Sequence, residues 1–162
     1  MNNIVYSLAC LAFCIMIGGA VYEHIAVVPQ WAAAPPHSLL MFQGNYGLRP
    51  EPFWMAIHPV AIILLGISII LNRKKVRRMN LMVVFTGYLT ILAITAIYFV
   101  PELLSITNTP YTQVSDQELT SRATTWERLS LIRLACLLVM AVYLLLGLAK
   151  GGVKIRSMAA EN

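Results

Sequence analysis

The sequence predicts an all-α fold, a bundle of four transmembrane helices, and three observations carry that prediction. The 162 residues are 59% hydrophobic and only 12% charged, against about 25% charged in soluble domains. The apolar residues gather into four runs of roughly twenty, each long enough for a ~30 Å hydrocarbon core. The basic residues crowd into short connections beside those runs, where Lys and Arg orient helices in a bilayer. That placement excludes nucleic acid as the expected partner despite a net charge of +5. The expected partner is the lipid bilayer, and the expected organisation is one integral membrane domain over 1–162, with a homo-oligomer left open.

The first helix is predicted over about 4–28. Its apolar run is too long for a signal-peptide core, and no basic residues precede it, so it reads as a retained span. Cys10 and Cys14 lie one turn apart within it, and Cys136 lies in the last span. An odd number of cysteines without a C-x-x-C pair gives no disulfide framework, and all three read as small apolar packing residues. Gly18-Gly19 allows close approach of a neighbouring helix. Pro29 is expected to end the helix, and Trp31 to anchor it at the interface.

A loop is predicted over 30–52, broken by Pro35-Pro36, Gly44, Gly47 and Pro50. A connection of that length in so small a protein is often functional. The second helix is predicted over 53–71, with Pro59 near its start. R-K-K-V-R-R follows at 73–78 and reads as an orienting loop. The third helix is predicted over 81–100, closed by Pro101-Glu102. A second long loop is predicted over 103–125, of which 116–125 begins the fourth helix outside the bilayer. The membrane part of that helix is predicted over 129–149, ended by Lys150-Gly151-Gly152.

Counting Lys and Arg sets the orientation. Arg73, Lys74, Lys75, Arg77, Arg78, Lys150, Lys154 and Arg156 fall on one side, and Arg49, Arg122, Arg128 and Arg133 on the other. The positive-inside rule places both termini in the cytoplasm and the two long loops outside. The expected location is a bacterial inner (plasma) membrane, crossed several times.

This topology gathers polar residues at the outer ends of the spans: Tyr22, Glu23 and His24 from the first, and Trp54 and His58 (i, i+4) from the second. Thr95, Tyr98 and Glu102 come from the third, and Trp126, Ser130 and Arg133 from the fourth, each set a single helical stripe. Ionisable side chains within spans face the bundle interior and pair. One reading is a clamp, with Arg133 bridging Glu23 or Glu102 and with Tyr98 and Ser130 as partners. The other is a site. Arg133 would stabilise an enolate or phenolate, Glu23 or Glu102 would act as base, and His58 as a second base or ligand. Trp54, Trp126 and Tyr98 would wall a small aromatic or lipophilic ligand. Of the adjacent Glu23 and His24, Glu23 is expected to face the centre. Glu23, His58 and Glu102 also suit a transition metal by donor type, although no metal-binding spacing is present. Haem would need His24 and His58 at matched depth. The cofactor itself stays unassigned, and His37 reads as a solvated loop residue.

G-x-x-Y-E-H-x-x-V-V-P-x-W at 19–31, P-P-x-S-L at 35–39, Y-F-V-P-E at 98–102 and R-A-x-x-W-x-x-x-S-x-x-R at 122–133 span nearly the whole chain. They resemble a bacterial group of small four-helix membrane proteins allied to the anthrone-oxygenase-like superfamily. The resemblance implies a four-helix membrane fold and an oxidoreductase that converts anthrones to anthraquinones with O2. It also implies Trp126 and Arg133 as site residues, joined by Glu23, His58 and Glu102. The Glu-His end of the first helix and the long loops depart from those enzymes. The alternative expectation is a structural or partner subunit without catalysis.

Overall fold

A computed structural model describes residues 2–159, with side chains through residue 150. Among the described residues the protein is helical, without strands, and four helical stretches are long and apolar enough to cross a membrane. They are Asn2–Ala32, Glu51–Leu71, Arg78–Thr107 and Gln117–Lys150. The class is therefore that of a helical membrane protein.

The surfaces of these helices agree. On α1 (Asn2–Tyr22), Ile4, Leu8, Leu11 and Ile15 are exposed, while Tyr6, Ala9, Phe13 and Met16 are buried. Both stripes follow the helical repeat, and both are apolar. A water-facing helix would carry polar residues on the outer stripe, so the exposed face suits hydrocarbon. α3 (Glu51–Leu71) repeats the pattern with Val60, Ile63, Ile67 and Ile70 exposed.

Two spans run longer than the sequence suggests, for one shared reason. After α1 the chain takes a π-helical turn, Glu23–Val27, and then continues as α2 (Val28–Ala32) with Pro29 in its first turn. After α4 (Arg78–Ile94) it takes a second π turn, Thr95–Phe99, and continues as α5 (Val100–Thr107) with Pro101 in its first turn. A proline ring lacks an N–H and crowds the carbonyl four residues back. Widening the preceding turn to i→i+5 bonds relieves that crowding, as Val28 N–H to Glu23 O and Val100 N–H to Thr95 O show. Pro29 and Pro101 therefore reshape their helices, whereas the sequence reading had them end there.

The connections shorten accordingly. Residues 37–42 form a 3₁₀ turn, His37–Phe42, and α3 already starts at Glu51. Asp116 caps α6 (Gln117–Ala159), its Oδ1 accepting from the Glu118 and Leu119 amides at 2.8 and 3.1 Å. The second loop is thus 108–116, and not 103–125. α6 also continues past Gly151-Gly152, where a stop was expected. Each Gly costs only about 1 kcal/mol in a helix, which does not halt a helix of 43 residues. The side chains of Lys154 and Arg156, counted in the orientation argument, lie outside the described ones.

By its internal contacts the chain divides into two compact units: residues 1–17, 53–90 and 136–162, and residues 18–52 and 91–135. In the first, the Tyr6 hydroxyl donates to Leu144 O at 2.8 Å, and Asn80 Nδ2 donates to Tyr143 O at 2.9 Å. Gly147 makes room for both: a methyl there would strike the Tyr6 hydroxyl and the Asn80 side chain. Arg77, in the basic turn, is buried. Its Nε donates to Asn72 Oδ1 (2.7 Å), its Nη2 to Asn3 Oδ1 (2.8 Å), and its guanidinium lies over the Tyr6 ring.

The second unit has its own core, built on Val27, Val28, Trp31, Leu39, Phe99, Ile106, Leu119 and Trp126. Trp31 packs edge-on against Trp126 with ring centroids 5.5 Å apart. It is 2% exposed, a core residue where an interfacial anchor was expected, because the loop folds back over it. Ser38 Oγ donates to Trp31 O at 2.6 Å, and the Asp116 amide donates to Pro35 O at 2.9 Å.

Candidate functional site

The second unit holds a buried polar cluster on the two π turns and α6. His24 sits in the first π turn, Thr95 and Phe99 open and close the second, and Ser130 and Arg133 lie one turn apart on α6. π turns frequently occur at functional sites because the inserted residue re-aims its neighbours.

Its hydrogen bonds fix the proton arrangement. His24 Nδ1 lies 2.7 Å from Ala20 O. A carbonyl only accepts, so Nδ1 carries the proton, and Nε2 of the neutral ring is an acceptor. Nε2 lies 3.0 Å from Ser130 Oγ and accepts a hydrogen bond from its hydroxyl. The same oxygen accepts from Arg133 Nη2 at 2.8 Å. Arg133 Nη1 donates to Thr95 Oγ1 at 3.1 Å, and Thr95 Oγ1 in turn donates to Ile91 O at 2.7 Å. The guanidinium carbon stands 4.3 Å from the Phe99 ring centroid, within cation–π range. Glu23 acts on Arg133 electrostatically. Ser130 is fully buried, His24 buried, and Arg133 half-buried.

Several expectations change. His24, and not Glu23, is the buried member of its pair: four residues beyond the buried Ala20, it continues the buried stripe of α1. Glu102 does not serve Arg133: it accepts from Arg122 Nε at 2.8 Å, and Arg122 also reaches Ser105. Trp126 is a core residue whose indole N–H donates to Phe99 O at 2.9 Å, so a packing role replaces that of a substrate wall. Tyr98 is exposed and packs edge-on against Phe99. His37 is exposed beside Tyr111, as expected of a loop residue.

Trp54 and His58 belong to the first unit. The i, i+4 spacing does what it predicts: the two rings stack at 5.5 Å, 23° from parallel. His58 Nδ1 lies 2.6 Å from the hydroxyl of Tyr88, a buried residue that the sequence reading did not single out. Among the described residues, no three His, Cys, Asp or Glu side chains converge on a metal-binding position.

Phe99 was also missed, because an aromatic beside V-P reads as core. No family model, curated protein or solved structure matches the chain.

Proposed function

We propose that this protein is a multi-pass membrane oxidoreductase that binds a small lipophilic phenol or anthrone-like substrate against Arg133. The observation that carries the reading is the placement of Arg133. Its guanidinium is fixed from three sides by Thr95, Ser130 and the Phe99 face while staying half-buried. A preorganised cation in an apolar helix stabilises an enolate or phenolate as its charge develops. His24 and Ser130 hold that cation in place. Glu23, close enough to act on Arg133, accepts the proton of the acidic carbon or phenol. Dioxygen takes the electrons: a diaryl CH2 becomes a ketone with release of one water. The resemblance to anthrone-oxygenase-like proteins supports the substrate class.

The same reading sets both termini and the 72–77 turn in the cytoplasm, with the 33–50 and 108–116 connections outside. The excess of Lys and Arg at 73–78 supports it. The expected location is a bacterial inner membrane.

The test is oxygen uptake and anthraquinone absorbance in detergent-solubilised protein given an anthrone, read above autoxidation. Arg133→Lys is expected to fold normally and lose about 10²–10³ in rate, and Glu23→Gln about 10²–10⁴. A rate equal to autoxidation would sink the enzyme reading. One observation favours a second reading, a non-catalytic subunit: Ser130 is wholly buried and ties His24 of the first π turn to Arg133 on its own helix. In that case Arg133→Lys would lower thermal stability and leave no activity to lose.

A further inference from the structure

A cavity of about 440 Å³ lies in the first unit, lined by Asn2, Ile70, Leu71, Arg73, Lys74 and Lys75. Its volume falls in the ~300–1,000 Å³ range of ligand sites. We propose that it seats the phosphate headgroup of an anionic phospholipid.

Four observations lead there. First, the cavity opens where the apolar stretch Glu51–Leu71 stops, so in a bilayer it lies at headgroup depth. Second, its lining is amphiphilic. Ile70 and Leu71 offer an apolar wall, which Asn2 ties down by donating from Nδ2 to Leu71 O at 3.0 Å, and three cations face it. Inorganic phosphate would need the cations alone; a lipid uses both.

Third, no acidic side chain among the unit's described residues balances that charge. Residues 1–17, 53–90 and 136–150 contain no Asp or Glu. Glu23, Glu51, Glu102, Asp116, Glu118 and Glu127 all belong to the other unit, and Glu161 lies outside the described residues. Fourth, the other two cations of the turn are engaged elsewhere. Arg77 is turned inward onto Asn72 and Asn3, and Arg78 donates to Arg73 O. That leaves Arg73, Lys74 and Lys75 as the exposed cations at the cavity. Juxtamembrane Lys and Arg each contribute to anionic lipid binding by an amount that multiplies affinity about fivefold.

The inference rests on the membrane-spanning reading and is independent of any chemistry at Arg133. The experiment uses the full chain in neutral detergent. Thermal unfolding is followed while phosphatidylglycerol, phosphatidylcholine or inorganic phosphate is added. Phosphatidylglycerol is expected to raise the midpoint at low mole fraction, and phosphatidylcholine and phosphate are not. Replacing Arg73, Lys74 and Lys75 together by Gln should weaken the phosphatidylglycerol response about a hundredfold. Arg78→Gln, which removes one charge of the same turn outside the cavity lining, should leave it within a few-fold. Equal responses to the two lipids would overturn the proposal, as would an unchanged response in the triple variant or an equal loss in Arg78→Gln. A full response to phosphate alone would assign the cavity to a free anion and overturn the lipid. Failure of the membrane reading would show separately, as release of the protein from membranes by alkaline carbonate.

Discussion

Ser130 is the residue on which the candidate site turns. Its hydroxyl donates a hydrogen bond to His24 and accepts one from Arg133, so one small side chain satisfies two larger ones. Ser130→Ala keeps the volume nearly constant but strands both partners, and stranded buried groups cost about 1–3 kcal/mol. A double-mutant cycle with His24→Ala is expected to show coupling well above the scatter of independent sites. Denaturant titration in detergent reads it directly, and additive losses would mean that the bond contributes nothing. In the first unit, Tyr88→Phe removes the 2.6 Å bond to His58 without changing shape. Its expected cost is about 1 kcal/mol. The stripes of polar residues were legible in the sequence because helical spacing alone places Ser130 with Arg133 and Trp54 with His58. What spacing could not give was the choice between neighbours. Glu23 and His24 differ by one position, and as i+3 and i+4 neighbours of the buried Ala20 both fall near the buried stripe. The pairing of Glu102 was hidden for a different reason. Its partner Arg122 lies on another helix, where helical spacing carries no information about contact.

At the scale of elements, the two proline-coupled π turns explain why boundaries were misread while the helices themselves were not. A proline in an apolar run ordinarily reads as a stop. Here each proline falls in the first turn of a new α segment, where its missing N–H is tolerated, and the distortion is absorbed by the turn before it. If Pro101 causes the second π turn, Pro101→Ala restores the donor and lets Thr95–Phe99 relax toward α-helical register. Phe99 would then rotate away from Arg133 and Trp126. The expected signature is a shifted tryptophan emission with the helical content unchanged, and an unaltered spectrum would mean that tertiary packing alone holds the turn. Helix contact in the first unit is equally local. Gly147→Ala would place a methyl 2.8 Å from Asn80 Cβ, too close for either side chain to yield. Overpacking of that kind costs about 1–3 kcal/mol, visible as a lowered unfolding midpoint.

For the molecule as a whole, the strongest sequence signal and the structure describe the same object from two directions. Runs of apolar residues predicted spans, and the spans expose apolar stripes such as Ile4, Leu8, Leu11 and Ile15. A soluble fold would have to hide them. Orientation is a different kind of property, since it follows from where charge is retained during insertion and leaves no mark on helix packing. It is therefore tested by changing charge. Replacing Arg73, Lys74, Lys75 and Arg78 by Gln, while keeping the buried Arg77, levels the two sides of the Lys and Arg count. Orientation should then become mixed, because the bias that sets it is gone. The readout is membrane-impermeant thiol labelling of one cysteine introduced at position 75 or at position 112, with Cys10, Cys14 and Cys136 replaced by Ala. In the parent sequence the two positions should label from opposite faces of the membrane. In the neutralised variant, carrying its cysteine at position 112, a fraction should label from each face. A variant that keeps a single orientation would show that the order of the spans, and not the basic turn, governs insertion. Arg77 would then be the one residue of that turn whose role is settled by packing, through its bonds to Asn3 and Asn72.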